Sequence, residues 1–412
     1  MDSQILLYLI LGILTFDFVL EQVLDYLNLK HQKIDLPEEL KGIYTEEEFK
    51  KAQEYFNANA KFGFLSSTLS FLLIITVILT GAFGWLDKQL SLKFQNPTVI
   101  ALVFFGILFL VSDIINIPFS LYKTFVIEEK FGFNKTTIKT YILDKLKGYL
   151  IGGILGGLLL WLFIQMVTSI GPGFWLYFWI VLSVVMLFIN MFYTSIFVPL
   201  FNKLTPLEAG DLRNSIEEYS QKNNFSLTNI FVIDGSKRSS KANAFFSGIG
   251  PKKKVVLYDT LINNHTKEEL VAVLAHEIGH YKKKHIITGL ILGIIQTGIM
   301  LFLLSYFIFN VNLSKALGAD HLAIHINLIA FGILYTPISH LTGLLMNIIS
   351  RKNEYEADRF AAVTYSSSAL QEALKKLSTK NLSNLTPHPA YVFMHYSHPP
   401  LLYRLRALKE LQ

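Results

Sequence analysis

Seven long apolar stretches punctuate the chain, at about 4–24, 64–86, 98–121, 149–168, 174–200, 286–309 and 322–349. Each is close to the ~20 residues an α-helix needs to cross a bilayer, so each predicts a membrane helix. Asp17 and Glu21 interrupt the first, and Pro337 in the last predicts a kink or a continuation beyond the membrane. Between 200 and 286 the pattern changes. Residues 207–222 have helical spacing, while 229–234 and 254–259 alternate like short strands around the turn-rich Gly235-Ser236-Lys237-Arg238-Ser239-Ser240. Thr266-Lys267-Glu268-Glu269 then reads as a capping box that opens a further helix. Residues 350–365 continue the last helix, and 382–412 form a Pro- and His-rich tail ending in an amphipathic helix. Four parts are expected: a membrane domain of five helices (1–200), a soluble insert (201–285), two more membrane helices (286–349) and a C-terminal part (350–412).

Composition supports lipid as a partner. Apolar residues make up 52% of the chain and charged ones 17%, more apolar surface than a soluble protein could cover. The net charge of +6 lies in particular loops. Those at 25–63 and 122–148 carry six lysines each, against two in 87–97, one in 310–321 and none in 169–173. With a basic 201–285, this alternation predicts an external N-terminus and a cytoplasmic placement of 201–285 and 350–412. No basic run is interleaved with aromatics, so nucleic acid is not an expected partner. Cysteine is absent, which excludes disulfides, thiolate metal sites, a cysteine nucleophile and a lipidated cysteine. The acidic start Met1-Asp2-Ser3-Gln4 reads as a retained membrane helix rather than a signal peptide. Heavy Lys, Ile, Phe and Asn usage, with no retrieval signal in Lys409-Glu410-Leu411-Gln412, favours a bacterial cytoplasmic membrane over the endoplasmic reticulum. Gly152, Gly153, Gly156 and Gly157 form small-xxx-small pairs that predict close helix packing. Asp17, Asp113 and His340, polar groups at membrane depth, are expected to line a cavity or to bond between helices.

The chemistry concentrates in His276-Glu277-Ile278-Gly279-His280. Positions i and i+4 share a helix face, so both histidines can bind one zinc ion. Glu277 is angled off the metal, where it can take a proton from an activated water and deliver it to the leaving amine. With 11 His in the chain, this pattern would arise by chance about 0.01 times. A hydrolytic zinc needs a third protein ligand and one open position. Asn353-Glu354-Tyr355-Glu356-Ala357-Asp358 offers it. Glu354 and Asp358 share a face while Glu356 points elsewhere, so one of the pair can bind the metal and the other can orient a histidine. Spacing favours Glu354 as the ligand. His398, by itself, reads as a surface histidine in a turn.

Residues 275–281 and 353–358, with Ser350-Arg351 before the latter, resemble the integral-membrane type I CAAX prenyl endopeptidases. So do Ile127-Glu128-Glu129-Lys130-Phe131-Gly132-Phe133-Asn134, Lys241-Ala242-Asn243-Ala244-Phe245-Phe246 and His398-Pro399-Pro400-Leu401-Leu402-Tyr403-Arg404. The likeness spans nearly the whole chain, and the stretch 127–134 sets it apart from relatives that share only the zinc motifs. It implies a mainly α, polytopic fold: seven helices around a large chamber, with a zincin-like domain containing a small β element. It also implies Glu354 as third ligand, Asp358 behind a histidine, and His398 beside the metal as an oxyanion donor. Arg404 would pair with a carboxylate near the site, and Asn243 with Ala244 would lie by an edge strand that holds the substrate backbone. Family members remove the last three residues of prenylated CAAX tails. The expected function is therefore a membrane-embedded metalloendopeptidase with one zinc per chain, acting on peptides or proteins that include prenylated C-termini. A polytopic transporter or channel with a structural zinc is the alternative, and the non-ligating Glu277 argues against it.

Overall fold

The computed structural model describes residues 2–32, 36, 41–42, 44–225, 230–248 and 254–411. Six helical segments among these are long and apolar enough to cross a membrane. The fourth, Ile138–Phe201, is two helices, Ile138–Ile170 and Phe174–Phe192, joined at Gly171-Pro172-Gly173. Gly171 sits at φ 71°, a conformation that glycine adopts without steric cost. Across the turn Phe163 meets Phe174 and Phe178 edge-on, at 5.3 and 5.1 Å. Seven membrane helices result: Ser3–Lys30, Glu46–Leu79, Pro97–Tyr122, Ile138–Ile170, Phe174–Phe192, His285–Phe307 and Ile324–Ala361. Their starts carry the expected chemistry. Thr45 and Glu48 form a capping box, and Asn96 caps a helix that begins with Pro97.

Three features of the apolar pattern turn out differently or more sharply than expected. The run 64–86 is not one helix, because Gly81 takes φ 67° and separates Glu46–Leu79 from the short helix Ala82–Ser91. A Cβ on Gly84 of that short helix would lie 1.8 Å from the Gly318 carbonyl oxygen, so the backbones meet where no side chain fits. The glycines at 152, 153, 156 and 157 do not pack closely: a Cβ on any of them would meet nothing within 4 Å. Small residues permit close approach, but no helix among the described residues approaches them. The helix containing Pro337 runs unbroken to Ala361, well past its apolar part. The polar groups at membrane depth bond between helices. Asp17 lies 2.5 Å from His340 Nε2, while Asp113 accepts from Lys145 at 2.5 Å and from the Tyr149 hydroxyl.

The insert contains a four-stranded sheet: β1 (Leu204–Pro206), β2 (Ile230–Ile233), β3 (Ala244–Ser247) and β4 (Lys254–Tyr258), in the order β1-β2-β4-β3. The central pair is parallel, with Ile230 opposite Val255, and the outer strands run antiparallel. The two expected strands are β2 and β4; Asn229 lies outside the described residues. The helix expected over 207–222 starts only at Asp211. Leu207 N–H is instead engaged by the Ile230 carbonyl at 2.9 Å, as part of the sheet margin. Val255 and Leu257 pack with Leu270, Val271, Leu274, Ala275 and Ile278 in one core. That core leaves β3 on the sheet edge beside the helix carrying the two histidines.

Candidate metal centre

The helix Lys267–Lys282 begins at Thr266, and both bonds of the predicted capping box with Glu269 are present. Its apolar face is locked into the insert core, which fixes its rotation and directs His276 and His280 toward the long membrane helix Ile324–Ala361. The two helices cross at Gly279. A Cβ there would lie 3.1 Å from Ala357 Cα and 3.2 Å from its carbonyl oxygen. A side chain there would have to push the helices apart by a few tenths of an ångström, so glycine suits the crossing.

The crossing brings three donor atoms together. His276 Nε2 and His280 Nε2 are 3.1 Å apart, and the Glu354 carboxylate lies 3.4 Å from the first and 3.2 Å from the second. Edges of that length fit a tetrahedral ion with bonds of about 2.0–2.1 Å. Buried Glu354 Oε2 has no hydrogen-bond partner, as expected of an atom whose partner is a cation. The chemistry and spacing of the donors therefore fit a divalent metal.

Behind the donors stands a charged lattice. Asp358 Oδ1 is 2.9 Å from His276 Nδ1, and Arg404 donates to both oxygens of Asp358 at 2.8 and 2.6 Å. The same guanidinium is 3.6 Å from Glu354. Burial alone would lower the His276 pKa, but Asp358 and Glu354 hold its proton and push it up to about 9. Burial raises Glu277, although the neighbouring His276 and His280 pull the other way. His398 Nε2 lies 3.3 Å from Glu354, and its Nδ1 is 2.9 Å from Ser397 Oγ. Desolvation beside the site lowers its pKa, against the opposing pull of Glu354, and favours the neutral imidazole.

All the catalytic and metal candidates from the sequence converge here. Asn243 and Ala244 lie where β3 begins; the outer edge of β3 has no neighbouring strand among the described residues. Asn243 turns its side-chain oxygen back onto the Ala244 N–H at 2.9 Å. One pair escaped the sequence reading. His285 Nδ1 is 3.1 Å from His280 Nδ1, and its Nε2 is 3.3 Å from Glu356. Glu356 does point away from the Glu354–Asp358 face, toward this histidine. The nearness of a third histidine, five residues beyond His280, was the available signal.

A family model described as the CAAX prenyl protease N-terminal region with five membrane helices matches residues 25–203. The model of peptidase family M48 matches residues 206–412, half of the chain and all of the metal centre. The chain belongs to peptidase family M48. Other members are similar along their whole length. The CAAX prenyl protease 1 homolog of Arabidopsis thaliana is 36% identical, over 97% of this chain and 96% of the relative. CAAX prenyl protease 1 of Saccharomyces cerevisiae is also 36% identical, with coverages of 97% and 94%. The crystal structure of S. mikatae Ste24p superposes with a TM-score of 0.92 at 34% identity, covering 98% and 99% of the two chains. This M48 chain is thus a multi-pass membrane metalloendopeptidase, and the transporter alternative has no support. The relatives named are eukaryotic, so the expectation of a bacterial membrane is unsupported.

Proposed function

We propose that this M48 member is a zinc endopeptidase that trims prenylated, CAAX-type C-terminal peptides, with His276, His280 and Glu354 holding the ion. The observation that carries the reading is the donor triad at 3.1–3.4 Å with Glu277 beside it. Held by His276, His280 and Glu354, zinc would supply a Lewis acid for the scissile carbonyl and would lower the pKa of water. Glu277 takes the proton from that water and passes it to the leaving amine. His398 Nε2 hydrogen-bonds the carbonyl oxygen as charge develops on it. Asp358 holds His276 by its second nitrogen, and Arg404 keeps Asp358 ionised and aimed. Substrate backbone adds to the edge of β3 near Asn243 and Ala244, main chain to main chain.

The test is cleavage mapping by mass spectrometry on matched peptides with and without an isoprenoid on the cysteine. Release of the last three residues, faster from the prenylated partner, is expected. Cuts scattered along both peptides alike would reduce the function to general proteolysis. The alternation of basic loops supports a metal centre on the cytoplasmic face. A reporter fused at the C-terminus should read as cytoplasmic and one near residue 312 as external; the reverse pattern would rule out cytosolic substrates.

A further inference from the structure

Between the membrane helices Glu46–Leu79 and Pro97–Tyr122 lies a cavity of about 490 Å³. One wall is a single helix face: Ala58, Lys61, Phe62 and Leu65 at i, i+3, i+4 and i+7. Pro118, Phe119 and Tyr122 form the other, with Ile127 at the base. Phe62 stacks on Tyr122 at 5.3 Å and lies tilted 6.1 Å from Phe119, so aromatic contacts join the two walls beside the opening. Lys61 alone among these residues is charged, and its stem can line the wall while the ammonium reaches water.

We propose that this cavity holds the isoprenoid chain of the substrate; the proposal rests on the CAAX-type reading above. A polar relay joins the cavity to the edge of β3. One turn below Ala58, Tyr55 donates to Glu128 at 2.5 Å. Lys241 reaches both, at 2.8 Å from the Tyr55 oxygen and 3.0 Å from Glu128, and stands 4.4 Å over the Phe133 ring. The next residue, Ala242, is clasped by the Asn381 amide, with both bonds at 3.1 Å. Asn381 in turn lines a second cavity, of about 390 Å³, that His398 and Arg404 also line. An apolar cavity between two membrane helices and a second one lined by His398 and Arg404 are thus linked through the residues that lead into β3. A lipidated peptide needs that pair: greasy chain in one, cleavable tail in the other. A cavity of this size suits one short branched chain, not the paired chains of a phospholipid, and unsaturated branch points lie well against aromatic rings.

Two measurements test the assignment. A CAAX peptide whose isoprenoid carries a diazirine should label residues within 58–65 and 118–127 of the zinc-loaded protein on irradiation. Ala58→Trp, which fills the cavity, should lower kcat/KM on the prenylated peptide by about tenfold or more, the scale of losing a buried apolar segment. The unprenylated peptide should be cut at the parental rate, with zinc content and melting temperature as controls. Labelling elsewhere, or equal losses on both peptides, overturns the proposal. So does retained activity of Ala58→Trp with phospholipid recovered from the labelled cavity. If Ala58→Trp does not fold, the labelling of the parent decides. If the parent cleaves both peptides equally, the prenyl part of the proposed function fails, and labelling alone then decides what the cavity holds.

Discussion

Glu277→Gln should fold, hold its zinc and bind peptide, yet lose cleavage by about 10²–10⁴-fold, the usual contribution of a positioned general base. The amide keeps the size of the carboxylate and most of its hydrogen bonding, and removes only the capacity to accept a proton. The donor triad does not include Glu277, so metal content should match the parent. Burial already raises the pKa of this carboxylate. Single-turnover cleavage with parallel zinc analysis checks both points. A Glu277→Gln protein within a few-fold of the parent would mean that another group accepts the proton.

Glu354→Ala should empty the metal centre. Two imidazoles then remain of three donors, and Arg404, 3.6 Å from the lost carboxylate, becomes a repulsive neighbour for a cation. Asp358→Asn, which leaves the donors in place, should weaken zinc by about 10–100-fold, as losing the partner of a ligating histidine commonly does. Competition against a calibrated chelator separates the two outcomes. If Glu354→Ala kept full zinc, the third ligand would move to Asp358 or Glu356. The same titration has a pH dependence of known sign. Without metal, His276 keeps its proton up to about pH 9, and only the neutral ring ligates. Zinc must displace that proton at any lower pH, so apparent affinity should fall by up to about tenfold per pH unit below 9, with measurable proton release.

How far the sequence carries depends on whether each relation is local. His276 and His280 are legible because helical geometry alone puts i and i+4 on one face. Glu354 and Asp358 are legible as a pair for the same reason, but their meeting with the histidines is not. That needs the bare backbone of Gly279 against Ala357, a contact across the fold. The Arg404–Asp358 pair likewise joins segments 46 residues apart. His285 escapes because the chain breaks its helix at Lys284, in a left-handed conformation, so no helical period links it to His280. The membrane helices show the opposite error. Hydropathy counted 64–86 as one span because it weighs apolar surface and ignores the positive φ at Gly81. Gly152 to Gly157 mark a face that could pack closely, without saying whether a partner helix arrives.

The order of the metal-centre residues along the chain bears on how the protein is made. His276 and His280 leave the ribosome first, Glu354 follows the last membrane helix, and Arg404 comes in the helix Leu401–Lys409. Until that helix docks, Asp358 and Glu354 lack the Arg404 guanidinium and have protonated His276 as their counter-charge. A nascent chain still threading into the bilayer therefore lacks a complete cutting site, since His398 and Arg404 are yet to come. Proteolytic competence needs Arg404, which is made after all seven membrane helices described above.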